Sequence, residues 1–120
     1  MDDINKQKMK VINARETRLG ENSIPEGWID LVVELDQKLS KIDPNYRVTQ
    51  YKVKFGGLRY YIQPSENLSK EKIDEMYKLE YKYEAESYKI CEKCSTKVDK
   101  STTPYKTLCK KCQKQNEQNI

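Results

Sequence analysis

Cys91 with Cys94, and Cys109 with Cys112, form two Cys-x-x-Cys pairs with fourteen residues between them, in a chain of 120 residues that has no histidine. Two pairs at this spacing read as a four-thiolate metal site, because each pair can grip one ion from a tight turn while the intervening stretch folds as a hairpin. The missing histidine removes the commonest general base and every water-activating ligand set built on imidazole. The expected site is therefore closed and structural, with zinc as its metal.

Two disulfides are the main alternative for four thiols. The start Met1-Asp2-Asp3 offers no apolar segment that could act as a secretory signal, and nothing later is long enough to span a bilayer. This predicts a cytoplasmic, reducing setting, where paired cysteines more often hold metal. A redox-active Cys-x-x-Cys fits less well, since no βαβ pattern surrounds either pair. Hydrophobic residues make up 36% of the chain and charged residues 35%, so the core is thin and a staple would matter. A structural zinc contributes roughly 10–16 kcal/mol of apparent binding free energy, more than most domains have in net stability.

The remaining sequence predicts an α+β fold, with two amphipathic helices packed on a β-hairpin and followed by the four-cysteine module. A polar segment spans residues 1–22, the helix–hairpin–helix core residues 23–90, and the zinc-binding module residues 91–120. Residues 1–22 suit a helix or a frayed tail equally, with Ile4, Val11, Ile12 and Leu19 scattered through them. Ser23-Ile24-Pro25-Glu26 reads as a capped helix start. Trp28, Leu31, Val32, Leu35, Leu39 and Ile42 follow at steps of three and four, and Asp43-Pro44-Asn45 ends the run. Tyr46–Phe55 and Leu58–Ile62 read as strands joined by a Gly56-Gly57 turn. In that register Phe55 faces Leu58, Val53 faces Tyr60 and Tyr51 faces Ile62. The other face pairs Lys54 with Arg59, Lys52 with Tyr61 and Gln50 with Gln63. A second helix runs from about Ser69 to Ser87 with a stripe of Ile73, Met76, Tyr77, Tyr81, Ala85 and Tyr88, leaving Leu79 and Tyr83 to one side. In the module, Lys97–Leu108 reads as a hairpin bending near residues 101–104, with a short helix from Gln113. That order is similar to a treble-clef or zinc-ribbon finger.

Charge is uneven. Residues 46–64 carry four basic and no acidic groups, and residues 91–120 carry seven basic and three acidic groups; the other segments are close to neutral or acidic. Such blocks favour anionic partners. On the hairpin's outer face, Lys52, Lys54, Arg59 and Tyr61 combine cations with an aromatic ring, which suits phosphate pairing and base stacking. Lys110 and Lys111 are a second candidate phosphate contact, although they equally well offset the two net negative charges of a zinc tetrathiolate. The bland reading of the hairpin face is a solvated surface whose lysines discourage edge pairing. Open hairpin edges and a thin core also leave room for a second copy of the chain. An enzyme is not expected: carboxylates alternate with lysines on both main helices, and Gly56-Gly57 leads into a strand, whereas a phosphate-cradling loop leads into a helix.

The string Lys54-Phe55-Gly56-Gly57-Leu58-Arg59-Tyr60-Tyr61, preceded by Gly27-Trp28 and Asp43-Pro44-Asn45-Tyr46 and followed by Ala85-Glu86-Ser87 and Thr107-Leu108-Cys109, resembles a set of short, largely uncharacterised phage and prophage proteins. The likeness covers roughly residues 25–112. Ser95 stands where many knuckles have glycine, and Tyr105 where tryptophan is expected. The resemblance implies a viral accessory protein acting inside a bacterial host. Such a protein would bind and neutralise a nucleic acid, a nucleotide signal sequestered as a sponge against host defence, or a host protein.

Overall fold

The computed structural model describes residues 3–17, 23–99 and 105–118. Helix α1 (Asp3–Ala14) is followed by a 3-10 turn (Glu26–Trp28), α2 (Ile29–Ile42), β1 (Arg47–Lys54), β2 (Gly57–Gln63), α3 (Lys70–Ser87) and α4 (Lys110–Gln118). The α+β reading holds: helices pack on a two-stranded antiparallel hairpin, and the cysteines come together behind it. The expected bend at residues 101–104 lies outside the described residues.

Helix α2 is the core's spine. Trp28, Leu31, Val32, Leu35 and Leu39 are all buried, and Ile42 packs against them. The 3.6-residue period put every one of these on one face. The entry differs from the capped start expected at Ser23: Pro25 precedes a 3-10 turn, with no side-chain cap bond, and Trp28 N–H donates to Pro25 O at 3.0 Å. At the other end Asp43 is buried, and its carboxylate accepts from Asn45 N, Ser65 N and Ser65 Oγ, which pins the turn into β1. Of the two states suited to the N-terminal segment, the helix is the one formed. It seats Met9 and Ile12 in the core, while Arg15–Thr17 runs alongside β1.

The hairpin keeps its predicted inward face except at Phe55, which is an exposed turn residue instead of the expected partner of Leu58, and it departs from the predicted register. Val53 pairs with Leu58, Tyr51 with Tyr60, Lys52 with Arg59 and Gln50 with Tyr61, a slip of two residues. A shift by two leaves every side chain on its original face. The turn residues are Phe55 and Gly56, with φ of 53° and 77°, and Gly57 opens β2. A Cβ on Gly57 would lie 2.3 Å from the Tyr88 ring, so this glycine makes room for packing and only Gly56 serves the turn. Phe55 consequently sits at the tip, exposed, in a left-handed conformation that costs a bulky residue roughly 1–2 kcal/mol. An irregularity at Thr49 re-aims β1 so that Val48 also points inward opposite Ile62.

Helix α3 starts as expected, with Ser69 Oγ accepting from Lys72 N, but its packed face is different. Met76, Tyr83 and Ser87 are buried and Leu79 packs beside them, whereas Tyr77, Tyr81 and Tyr88 are exposed. Met76 is buried as expected, whereas Leu79 and Tyr83, expected to one side, take the places expected for Tyr77 and Tyr81. Ser87 explains part of the choice, because its hydroxyl accepts from Leu58 N at 2.9 Å and donates to Glu84 O, joining α3 to β2.

One polar cluster crosses the core. Asp36, buried on α2, accepts from Arg15 Nε at 2.7 Å and from the Tyr46 hydroxyl, which lies 2.9 Å from the Tyr60 hydroxyl. Burial pushes both phenols above their ordinary range. The Arg15 guanidinium also stacks 4.3 Å from the Tyr46 ring centroid. A buried carboxylate with these partners is compensated.

Candidate metal centre and its docking face

The four sulfur atoms lie within 4.8 Å of one another, and no pair is bonded. Cys94 Sγ and Cys109 Sγ stand 3.6 Å apart. A disulfide needs about 2.05 Å, whereas the edge of a tetrahedron with ~2.3 Å metal–sulfur bonds is about 3.8 Å. The donor set thus fits a tetrahedral metal ion and does not fit two disulfides.

Each pair is shaped by local backbone bonds. In the first knuckle Ile90 bridges Lys97, Cys91 N donates to Thr96 O, and Ser95 N donates to Cys91 O at 3.0 Å. Closing this loop puts Ser95 at φ 68°, the conformation in which glycine is commonest. In the second knuckle α4 begins at Lys110, three residues earlier than expected, so Cys112 stands in its first turn and Cys112 N approaches Cys109 Sγ at 3.5 Å. Val98 and Leu108 fill the space behind the sulfurs. Cys94 Sγ lies 3.0 Å from Thr96 Oγ1, and hydrogen bonding from Thr96 holds its thiol down to about 6. Desolvation, reinforced by the neighbouring thiols, pushes Cys112 up to about 12. A bound cation would favour the thiolate form of all four sulfurs.

The module is locked to the core by contacts the sequence pattern does not reveal. Gly27 N donates to Glu92 O at 2.8 Å, Ser95 Oγ donates to Gly27 O at 2.8 Å, and Trp28 Nε1 donates to Ile90 O at 2.8 Å. From the other side Thr107 Oγ1 donates to Gly56 O at 2.6 Å, while Glu92 and Thr107 exchange two further bonds. Burial raises the Glu92 carboxyl, although the Thr107 N–H, Lys106 and Lys93 oppose the rise. Gly27-Trp28, Phe55-Gly56-Gly57 and Thr107-Leu108-Cys109 meet here, at one junction.

Ser95 offers a direct check on that junction. Ser95→Ala keeps the strained φ and loses the bond to Gly27 O, so it should cost about 1 kcal/mol in urea melts. Ser95→Gly loses the same bond but relieves a strain of similar size, so it should melt close to wild type. Equal losses in the two variants would mean that the backbone conformation carries no strain.

The candidate ligand residues separate into two settings. Lys54 is exposed beside the turn, its Nζ 5.8 Å from the Phe55 ring centroid, and Lys52 is half-buried on the same strand face. Lys110 and Lys111 are exposed on the first turn of α4. Arg59, by contrast, pairs with Glu84 Oε1 at 2.5 Å and leans toward Tyr88. Tyr61 opens on a hollow shared with Tyr77, Glu80, Tyr81 and Glu84. Burial and the nearby Glu84 raise the Glu80 carboxyl to about 7. The outer face is therefore basic at the hairpin tip and acidic toward α3.

Comparisons with protein-family models, curated proteins and solved structures each give no match. Among the described residues, no helix is long and apolar enough to cross a membrane.

Proposed function

We propose that this chain is a non-catalytic zinc protein, and that the basic surface joined at its metal module holds a phosphate-bearing ligand, a nucleic acid or a nucleotide. Cys91, Cys94, Cys109 and Cys112 would bind one zinc ion, whose charge favours all four thiolates at neutral pH. Four sulfurs fill a tetrahedron and leave no position for a water, so the ion acts as a staple. The observation that carries the ligand reading is the 2.6 Å bond from Thr107 Oγ1 to Gly56 O, which fastens the tip of the basic hairpin to the cysteine module. Lys52, Lys54, Lys110 and Lys111 are its main cations. Arg59 and Tyr61 contribute less, because Glu84 already engages the guanidinium and two carboxylates share the tyrosine's hollow. The role that fits such a protein is the one implied by the phage resemblance, capture of a nucleic acid or a host signalling nucleotide.

A salt titration tests this. Affinity for a labelled single-stranded oligonucleotide should fall steeply with salt, and Lys54→Ala or Lys111→Ala should each flatten the slope of log K against log salt by about 1. Arg59→Ala should change the slope less. A flat salt response, or no binding at low ionic strength, rejects the reading. A second reading, a protein-interaction module that inhibits a host protein, draws on the exposed Tyr61, Tyr77 and Tyr81 around Glu80. Binding through that hollow would respond little to the lysine changes.

A further inference from the structure

We infer that Phe55 and Tyr105 form a stacking platform for the bases of a single-stranded nucleic acid, an inference that rests on the phosphate-binding reading and specifies its ligand. Three observations at the hairpin tip carry it. Phe55 occupies the first position of a two-residue turn with φ of 53°, where Asn, Asp or Gly is at home and a bulky side chain is strained. Burial does not repay that strain, because Phe55 remains 60% exposed. Its ring then meets a second exposed aromatic from a distant part of the chain: Tyr105, itself 66% exposed, with the centroids 6.0 Å apart and the planes tilted by 39°. An ordinary hydrophobic contact would have hidden at least one of the two rings.

Strain retained without a packing return is a mark of functional positions. Here it projects an exposed aromatic ring from the hairpin turn, with Lys54 Nζ 5.8 Å from its centroid and Lys52 on the same strand. The metal module supplies the other ring, since Tyr105 lies two residues before Thr107, which clamps Gly56. Every base has a π-face, so such a platform takes unstacked bases without reading their order, while the lysines follow the phosphates. A duplex hides its bases within the stack and would gain only the electrostatic part. The shared chemistry, a base carrying phosphate, belongs to a single strand or to a free nucleotide, and the platform's two rings together with the separated lysines favour the strand.

The experiment measures anisotropy of fluorescein-labelled oligothymidylate with the zinc-loaded full chain. Wild type should prefer the single strand over a duplex of equal length, and over inorganic polyphosphate. Phe55→Asn should weaken single-strand binding by about 5- to 150-fold, the range expected for one lost stacked base, with duplex binding and the salt slope nearly unchanged. Its Tm should be no lower than wild type, because Asn suits the turn. Phe55→Trp should retain binding, and Tyr105→Ala should lose it to a similar degree as Phe55→Asn. Competition by thymidine monophosphate at micromolar concentration would replace the strand with a free nucleotide as the ligand. Unchanged binding in Phe55→Asn, or a Tm that falls while binding persists, overturns the platform and leaves the phosphate reading standing. Absence of binding to every anionic probe overturns both.

Discussion

Stripping the metal with a chelator should lower the stability of the chain by roughly 4 kcal/mol or more, and its Tm by more than about 10 °C. The size of the effect follows from how little else holds the C-terminal part. Among the described residues, the buried apolar ones behind the sulfurs are Val98 and Leu108, with Cys91 and Cys112 themselves. A cluster of that size cannot offset the entropy of ordering the described part of the module. Once it loosens, Ile90 O leaves Trp28 Nε1, and Thr107 leaves Gly56 O, so the damage reaches the core's largest side chain and the hairpin tip. Cys112→Ser should behave like chelation, and metal analysis of wild type should give one zinc per chain.

Acid should act in the same direction. Bound thiolates carry fewer protons than the unfolded chain's thiols, so stability rises with pH and is lost as protons compete for sulfur. In the metal-free protein the loosened module returns its thiols toward their ordinary range, so this pH dependence should largely disappear. Calorimetric melts across pH, with and without chelator, separate these cases. A chelated protein that keeps the wild-type Tm would show that the thiols hold no structural ion.

The sequence made some of this legible and concealed the rest for physical reasons. Trp28 to Ile42 could be read because one helix face meets a single core, and its period survives in the chain. The cysteine spacing could be read because metal geometry demands it. Helix α3 was harder. Tyrosine is amphipathic, and neither a buried nor an exposed site is forbidden to it, so Met76 was placed correctly while Tyr77, Tyr81 and Tyr88 drew the expected stripe away from Leu79, Tyr83 and Ser87. The hairpin register failed for a related reason. Two adjacent glycines serve different ends, Gly56 the turn and Gly57 the packing of Tyr88, and composition does not assign them. Parity nonetheless protected the inward face. The docking contacts of Gly27, Glu92, Ser95 and Thr107 each tie a backbone group to a partner far away in sequence, and such pairings leave no periodic trace.

Gly27→Ala should be among the most damaging single substitutions outside the cysteines, at about 3 kcal/mol. On helix propensity alone the change would help, since alanine is favoured over glycine by up to ~1 kcal/mol in a helix. The added methyl would instead lie 2.2 Å from Cys91 O, 2.5 Å from Glu92 C and 2.7 Å from Glu92 O. All three are backbone atoms of the first knuckle, so no rotamer change clears the clash. The knuckle must retreat, which breaks the Gly27–Glu92 and Ser95–Gly27 bonds and pulls Cys91 away from its partners. Metal affinity should therefore fall together with stability, although no ligand has been altered. Gly57→Ala gives the contrast, because the atoms nearest its methyl belong to the Tyr88 side chain, at 2.3 Å, and a tyrosine can swing outward. That variant should lose less and should recover when combined with Tyr88→Ala. Denaturant melts and zinc competition with a chromogenic chelator would measure both effects. A Gly27→Ala protein with wild-type stability and zinc affinity would mean that the knuckle and the start of α2 are not in the contact described.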